Sequence, residues 1–189
     1  MAKKAMIIDL NRCVGCLSCV ISCKVENDVE VGKYWTWIER LGPTGTFPKT
    51  EMYYMPHVCH HCETPECIRV CPANATYKRA DGVVLVDSAL CIGCESCIDA
   101  CPYGARIMNS DRRVAEKCTL CIQLTDKGEE AHCVANCPGR ARMIGDMDDM
   151  TDPTSVLVKN EKSNFYQQRD VGNKPVGGYI LRNMKWQPK

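Results

Sequence analysis

Cysteines at short, regular intervals carry the chemistry that this sequence could perform. Residues 91–102 read CIGCESCIDACP, in which three cysteines are each two residues apart and a fourth, three residues later, precedes Pro102. Thiolates two residues apart on a tight loop can converge on one iron–sulfur cube, while the fourth cysteine of such a run binds the other cluster of a pair. The stretch therefore predicts ligands for [4Fe–4S] clusters.

Three further groups of four cysteines repeat this arrangement with different gaps. In chain order the groups are Cys13, Cys16, Cys19 and Cys23; Cys59, Cys62, Cys67 and Cys71; Cys91, Cys94, Cys97 and Cys101; and Cys118, Cys121, Cys133 and Cys137. The middle gap is two residues in the first and third groups, four in the second and eleven in the fourth. Sixteen thiolates at four per cluster (16/4) predict four [4Fe–4S] clusters, held by two pairs of ferredoxin halves. The spacing leaves open which groups pair.

Disulfides and zinc are the other uses of cysteine to weigh. Cysteine makes up about 8.5% of the chain (16/189), near the level of small disulfide-rich secreted proteins. Cysteines two residues apart, however, are poorly placed to bridge each other. The fourth group alone also suits a zinc ribbon, but its three-residue final gap matches the other groups, and Pro138 matches the proline after the second and third groups. His60 and His61 lie inside a group with all four cysteines, so we expect them to be polar neighbours and not ligands.

The charge of the chain is nearly balanced, with 24 basic and 23 acidic side chains. Because no broad basic field is visible, we expect neither nucleic acid nor an anionic membrane surface as a partner. No apolar leader follows Met1, and no segment approaches the roughly 18 apolar residues of a membrane helix. We therefore expect a soluble chain made in the cytoplasm without an anchor of its own. Because large apolar side chains are few, we also expect the clusters to supply much of the folding energy.

Short strands and helices are predicted to position the cysteine groups. The predicted strands are one over 5–10 and one at ARIMN after Pro102. Two hairpins are predicted, one in the insertion 29–54 with its turn at GPTG and one over 76–87 with its turn at Asp81-Gly82. The predicted helical segments are a turn at VISCKVEN and a short helix capped by Asp152-Pro153. Alternation in the first strand of the insertion places Trp35 and Trp37 on one face, for core packing or for contact with a partner protein. The cysteine-free tail is expected to be extended and to wrap the domain or a partner.

Six basic residues stand next to cysteine groups and could influence cluster potentials. They are Lys24, Arg69, Arg106, Lys117, Arg140 and Arg142. A cation near a cluster favours its more negative, reduced form and so raises its potential. The alternative for each is an ordinary solvated surface charge. Neutralising Lys24 or Lys117 should lower one potential if the first interpretation is right.

The order and spacing of the four groups resemble those of a known family. The segments CVGCLSCVISCKVEN, CHHCETPECIRVCP, CIGCESCIDACP, and CTLC with a later CVANCP look like the four-cluster iron–sulfur subunit of molybdopterin oxidoreductases. That family includes the electron-transfer subunits of dimethyl sulfoxide, polysulfide, tetrathionate, arsenate and nitrate reductases. The resemblance spans about residues 6–185, and the gaps of four and eleven make it more specific than a match to a two-cluster ferredoxin.

The resemblance implies that the first group pairs with the fourth and the second with the third. The implied ligand sets are Cys13, Cys16, Cys19 and Cys137; Cys23, Cys118, Cys121 and Cys133; Cys59, Cys62, Cys67 and Cys101; and Cys71, Cys91, Cys94 and Cys97. The Cys13 cluster would lie nearest a catalytic subunit and the Cys91 cluster farthest from it. Some relatives have tryptophan at the position of Cys94 and a three-iron cluster there, so the cysteine in this chain implies four irons.

The expected fold is α+β, a single iron–sulfur subunit over 1–189 with two bacterial-ferredoxin-like modules. The first module would combine residues 5–28 with 112–146, and the second would span 55–110. The hairpin insertion at 29–54 and a wrapping tail at 147–189 complete the chain.

No motif predicts catalysis by the chain itself: there is no Ser–His–Asp arrangement, phosphate loop or GxGxxG. The resemblance implies a subunit of anaerobic respiration that relays single electrons between a large molybdopterin (Mo or W) catalytic subunit and a quinone-linked membrane subunit or a soluble redox partner. A free-standing polyferredoxin is the alternative, although a diffusing carrier needs neither the insertion nor the tail. The expected location is the cytoplasm, or the outer face of the cytoplasmic membrane if a partner with a twin-arginine signal carries the chain across.

Overall fold

The computed structural model of the protein describes residues 3–187, which form a mixed α/β fold of short elements. The strands are β1 (Lys4–Asp9), β2 (Trp37–Thr46), β3 (Lys49–His57), β4 (Thr76–Lys78), β5 (Val84–Val86), β6 (Ile107–Asn109), β7 (Val114–Glu116), β8 (Arg142–Asp146), β9 (Phe165–Tyr166) and β10 (Gly178–Ile180). The helices are α1 (Ser18–Asn27), α2 (Glu66–Arg69), α3 (Ser96–Asp99), α4 (Ile122–Thr125), α5 (His132–Ala135) and α6 (Pro153–Asn160), with a 3-10 turn at Lys162–Asn164.

Strand β1 occupies an interior position in the largest sheet, whose order is β8-β1-β10-β9. On one side β1 pairs antiparallel with β8, placing Met6 opposite Ile144. On the other side it pairs parallel with β10, placing Ile8 opposite Tyr179. Strand β9 pairs antiparallel with β10. The C-terminal tail therefore contributes two of the four strands of this sheet.

Both faces of β1 are buried, which its almost unbroken apolar sequence allows. Because successive side chains of a strand point to opposite faces, Met6 and Ile8 enter the larger core cluster, while Ala5 and Ile7 pack with Ile180 in a smaller one. The larger cluster also contains four cysteines, Cys19, Cys118, Cys121 and Cys133. The hydrophobic core is thus continuous with the regions that hold the thiols.

The predicted turn at GPTG is wrong, because these residues lie inside β2. Leu41 pairs with Tyr53 and Thr44 with Glu51, so Gly42 and Pro43 together face a single residue of β3. Two residues opposite one is the pattern of a β-bulge, which tolerates a proline that cannot donate to the ladder. The chain reverses farther along, between the paired residues Thr46 and Lys49.

The expectation that Trp35 and Trp37 share a strand face is also wrong, because β2 begins only at Trp37. The indole nitrogen of Trp35 donates to Oε2 of Glu116 at 3.2 Å. The ring of Trp37 stacks on His57, with the ring centroids 3.7 Å apart. The buried Thr36 between them donates its hydroxyl to the His57 carbonyl at 2.8 Å.

The remaining small elements agree with their predicted positions. Strands β4 and β5 pair as the predicted hairpin, and β6, the predicted strand after Pro102, pairs with an additional strand, β7. Helix α6 begins as predicted, since the Asp152 carboxylate accepts hydrogen bonds from the backbone of Thr154 at 2.7 Å and Ser155 at 3.3 Å. Within residues 3–187, every helix is too short or too polar to cross a lipid bilayer.

Candidate iron–sulfur sites

Within residues 3–187, three cavities are each lined by four cysteines. One cavity is lined by Cys13, Cys16, Cys19 and Cys137. A second is lined by Cys59, Cys62, Cys67 and Cys101. A third is lined by Cys71, Cys91, Cys94 and Cys97. Each quartet takes three cysteines from one group of the sequence and one from another group.

The remaining four cysteines, Cys23, Cys118, Cys121 and Cys133, are all buried. The side-chain amide of Asn27 lies 3.7 Å from Sγ of Cys23 and 3.8 Å from Sγ of Cys121. Burial raises the pKa of the Cys23 thiol to about 12, and the neighbouring Cys133 and Cys121 contribute to the rise. These thiols are therefore close neighbours, although they come from segments about a hundred residues apart.

Left-handed backbone conformations curl the chain around the thiols. In the first group Gly15 has φ +67 and Leu17 has φ 64; in the third group Gly93 has φ +67 and Glu95 has φ 62. A Cβ on Gly93 would lie 2.7 Å from the carbonyl oxygen of Arg113. Glycine is therefore needed there both for its backbone freedom and for the close approach of a second chain segment.

Short helices carry the third cysteine of each group. Cys67 lies on α2, Cys97 on α3 and Cys133 on α5, and each helix ends just before a cysteine that proline follows. Proline disfavours continuation of a helix. Because Lys24 replaces proline after the first group, α1 continues to Asn27 and carries both Cys19 and Cys23.

Donors without acceptors provide a test of whether the thiol sites fit iron–sulfur clusters. Nδ1 of His61 accepts a hydrogen bond from the Val84 amide at 3.0 Å, which leaves the proton of the neutral ring on Nε2. This Nε2 is buried and has no acceptor among residues 3–187. His61 also lines the Cys59 cavity. Nε and Nη1 of Arg142, which lines the Cys13 cavity, are buried without acceptors in the same part of the chain. Buried donors require acceptors, and the sulfur atoms of a cluster would meet this need.

The donor set also fits iron–sulfur chemistry. All sixteen cysteines are free thiols. Within residues 3–187, no three Cys, His, Asp or Glu side chains converge as ligands of one metal ion. The thiols instead surround a space, as required when each iron of a cube takes one thiolate. Burial raises the pKa of Cys62 to about 12, so cluster binding must displace protons from such thiols.

Backbone amides donate to several of the sulfur atoms. The Ala141 amide donates to Sγ of Cys137 at 3.3 Å, and the Ala115 amide donates to Sγ of Cys91 at 3.4 Å. The guanidinium of Arg106 donates from Nη2 to Sγ of Cys67 at 3.1 Å. Hydrogen bonds to ligating sulfur raise cluster potentials and orient the ligands.

The six basic residues beside the cysteine groups occupy two different environments. Arg106, Lys117 and Arg142 are 4%, 2% and 3% exposed, so they are not solvated surface charges. Arg69 is exposed and pairs with Glu66 three residues before it. Arg140 is exposed, and the half-buried Lys24 donates to two backbone carbonyls in the loop after α1.

Sequence reasoning did not identify two further features of the sites. His60 and His61 line the Cys59 cavity as polar neighbours, and they are only 3% and 1% exposed, so they form part of the interior. Burial lowers the pKa of His60 to about 4. The second feature is that Arg106 and Arg142 each stand five residues after the last cysteine of their group, in CPYGAR and CPGRAR. This repeated offset was visible in the sequence.

Comparisons with known proteins identify the class to which the sites belong. The model of a 4Fe-4S dicluster domain matches residues 50–147, and that of a 4Fe-4S binding domain matches residues 10–32. A sulfite dehydrogenase subunit of Allochromatium vinosum is 40% identical, with 96% of this chain and 84% of the relative aligned. A tetrathionate reductase subunit of Archaeoglobus fulgidus is 41% identical, over 92% of this chain and 80% of the relative.

A third relative aligns over almost the full length of both proteins. The arsenate respiratory reductase iron-sulfur subunit of a Shewanella species is 33% identical over 94% of this chain and 96% of its own length. These relatives favour a dedicated subunit over a free-standing polyferredoxin. The chain therefore belongs to the [4Fe–4S] electron-transfer subunits of the molybdopterin oxidoreductases.

Proposed function

We propose that the chain conducts single electrons through four [4Fe–4S] clusters in one linear series. The proposed ligand sets, in order, are Cys13, Cys16, Cys19 and Cys137; Cys23, Cys118, Cys121 and Cys133; Cys59, Cys62, Cys67 and Cys101; and Cys71, Cys91, Cys94 and Cys97. They are called sets one to four below. When bound, each cluster gains and loses one electron. The protein holds consecutive clusters close together, tunes their potentials and covers the inner ones.

Contacts between neighbouring sets support this order. Sets one and two share α1, which carries Cys19 and Cys23 four residues apart on one face. Between sets two and three, the Cys59 side chain packs against the core cluster that contains Cys118, Cys121 and Cys133. Between sets three and four, helices α2 and α3 contact each other.

The exposure of two cysteines is the observation that carries the proposal. Cys16 and Cys94 are exposed, whereas the other fourteen are buried or half-buried. Cys16 belongs to set one and Cys94 to set four. A series with covered inner members and exposed ends accepts an electron at one end and releases it at the other.

Exposed apolar side chains surround both ends. Near Cys16 they include Leu17 and Ile21, which are 49% and 61% exposed. Beside Cys94, Ile92 is 68% exposed. Apolar surface of this kind marks sites of protein contact. We assign the Cys16 end to a large molybdopterin catalytic subunit and the Cys94 end to a quinone-linked membrane subunit or a soluble redox partner. The side of the membrane then follows from whether the catalytic subunit carries an export signal.

Single charges placed at the two ends test this assignment. In the purified complex, Ile21→Glu should abolish co-purification with the molybdenum-containing subunit, because a carboxylate cannot be buried unpaired in the contact. Ile92→Glu should leave that contact intact and abolish reduction of the clusters by the donor at the other end. Val171→Glu, at an exposed position in the tail, is the matched control.

The proposal is rejected if Ile21→Glu and Ile92→Glu leave both partner contacts unchanged while the protein retains its iron. It is also rejected if the two variants exchange effects, since this would reverse the orientation of the series. A chain purified with full iron content and no molybdenum protein would indicate a free carrier.

A further inference from the structure

Arg106 lies between set three and set four. Its guanidinium donates from Nη2 to Cys67 and from Nη1 to the hydroxyl of Thr76, at 3.1 and 3.2 Å. Burial alone would lower the pKa of Arg106, but nearby thiolates, chiefly Cys67 and Cys97, more than offset this and the pKa is raised. Cys67 belongs to set three and Cys97 to set four, so one cation faces both.

Arg142 occupies the equivalent position between set one and set two. Its Nη2 donates to the hydroxyl of Thr36 at 2.7 Å, as Arg106 does to Thr76. Arg142 lines the Cys13 cavity of set one. Strand β8, which begins at Arg142, contacts helix α5, which carries Cys133 of set two. The shared offset of five residues after the last cysteine explains why the two arginines occupy equivalent places.

Lys117 lies at the remaining junction, between set two and set three. Unlike the two arginines, Lys117 does not follow the last cysteine of a group by five residues. Its ammonium donates to the Val84 carbonyl and, at 2.8 Å, to the Cys118 carbonyl. Val84 lines the Cys59 cavity of set three, and Cys118 belongs to set two.

Among residues 3–187, no carboxylate forms an ion pair with any of these three buried cations. A buried charge without a counter-charge is strongly unfavourable. Thiolates of two different sets face each cation instead. The negative charge that compensates these side chains is therefore that of the occupied cluster sites.

We propose that Arg142, Lys117 and Arg106 form a series of junction cations, one between each pair of consecutive clusters, and that each raises the potentials of both its neighbours. The inference rests on the proposed ligand sets. When bound, the two clusters that flank each cation would exchange single electrons, the electron lost by one being gained by the other. A cation between them favours the reduced form on either side and lessens the repulsion between the two negative clusters. Lys24, Arg69 and Arg140 have no such role.

Potentials of the four clusters in the intact holo-protein test the proposal. An anaerobic redox titration followed by electron paramagnetic resonance should show two lowered potentials in Arg106→Met, those of sets three and four. Arg142→Met should lower those of sets one and two. We expect at least a tenfold loss in each reduction equilibrium constant, which is about 59 mV for one electron. Arg106→Lys should keep both potentials close to those of the parent protein, because lysine retains the positive charge.

Arg69→Met is the matched control, since Arg69 lies beside set three in sequence but is exposed. The proposal is overturned if Arg106→Met shifts one potential or none, or if Arg69→Met causes the same shifts. If Arg106→Met fails to assemble its clusters, Arg106→Lys decides: unchanged potentials support a role of charge, and a tenfold fall rejects it. The iron content of each variant and a three-iron signal in Cys94→Ala test the ligand sets independently of the cations. A wrong ligand set is therefore distinguishable from a cation that has no effect on the potentials.

Discussion

The ring of Tyr54 fills the space that a side chain at Gly15 would need. A Cβ at Gly15 would be 2.5 Å from Cδ1 of Tyr54. Tyr54 belongs to β3 and Gly15 to the loop between Cys13 and Cys16, so the hairpin insertion covers the loop of the first cysteine group. The insertion and the loop are therefore packed against each other, and a substitution in either should affect the stability of both.

Gly15→Ala should destabilise the Cys13 site more than the backbone cost alone. An alanine at φ +67 costs about 1–2 kcal/mol, and the clash with Tyr54 adds to it. Gly104→Ala is the matched control, because Gly104 has φ +57 and nothing within 4 Å of a new Cβ. Thermal release of iron, followed by visible absorbance, should occur at a lower temperature in Gly15→Ala. Equal shifts in both variants would show that the ring contact is unimportant.

Cys94→Ala should convert one cluster to a three-iron form. Cys94 is exposed and lines the same cavity as Cys71, Cys91 and Cys97, so losing its thiolate leaves three protein ligands. Electron paramagnetic resonance of the freshly prepared anaerobic variant should show a three-iron signal that the parent protein lacks. Ser96→Ala, two residues later, is the control. A three-iron signal in the parent protein itself would contradict the assignment of four irons to this site.

Removal of iron should unfold most of the protein. Four cysteines belong to the larger core cluster, and three of the quartets line cavities that would be left without filling. Structural metal sites of this kind supply folding free energy directly. Chelation under reducing conditions should abolish most of the far-ultraviolet circular dichroism, and the same incubation without chelator is the control. A native-like spectrum in iron-free protein would refute this expectation.

Ile180→Ala should destabilise the sheet that the tail completes. Ile180 is fully buried and packs with Ile7 of β1, and truncation of such a side chain costs about 2–5 kcal/mol. The midpoint of denaturant unfolding, measured anaerobically, should fall clearly. Val171→Ala, at a 58% exposed position of the same tail, should change stability by less than about 0.5 kcal/mol. If both variants behave alike, the tail is not part of the stabilising core.

Features encoded within a few residues were predictable. The strand at 5–10, the helical turn at VISCKVEN and the Asp152 cap each depend on local periodicity or local hydrogen bonds. The turn predicted at GPTG failed for the opposite reason. Whether Gly42 and Pro43 form a turn or a bulge depends on the pairing partners in β3, which the local sequence does not specify.

The sequence by itself determined the chemistry: sixteen cysteines, their grouping in fours and therefore the number and type of clusters. Spacing of a few residues is enforced by the covalent chain, so ligands within one group are near each other in any fold. Only the tertiary structure decided which distant cysteine lines each cavity with its three neighbours and that β10 pairs with β1. It also decided that three of the six nearby cations are buried. These outcomes depend on segments far apart in the chain, whose proximity comes from packing and not from spacing.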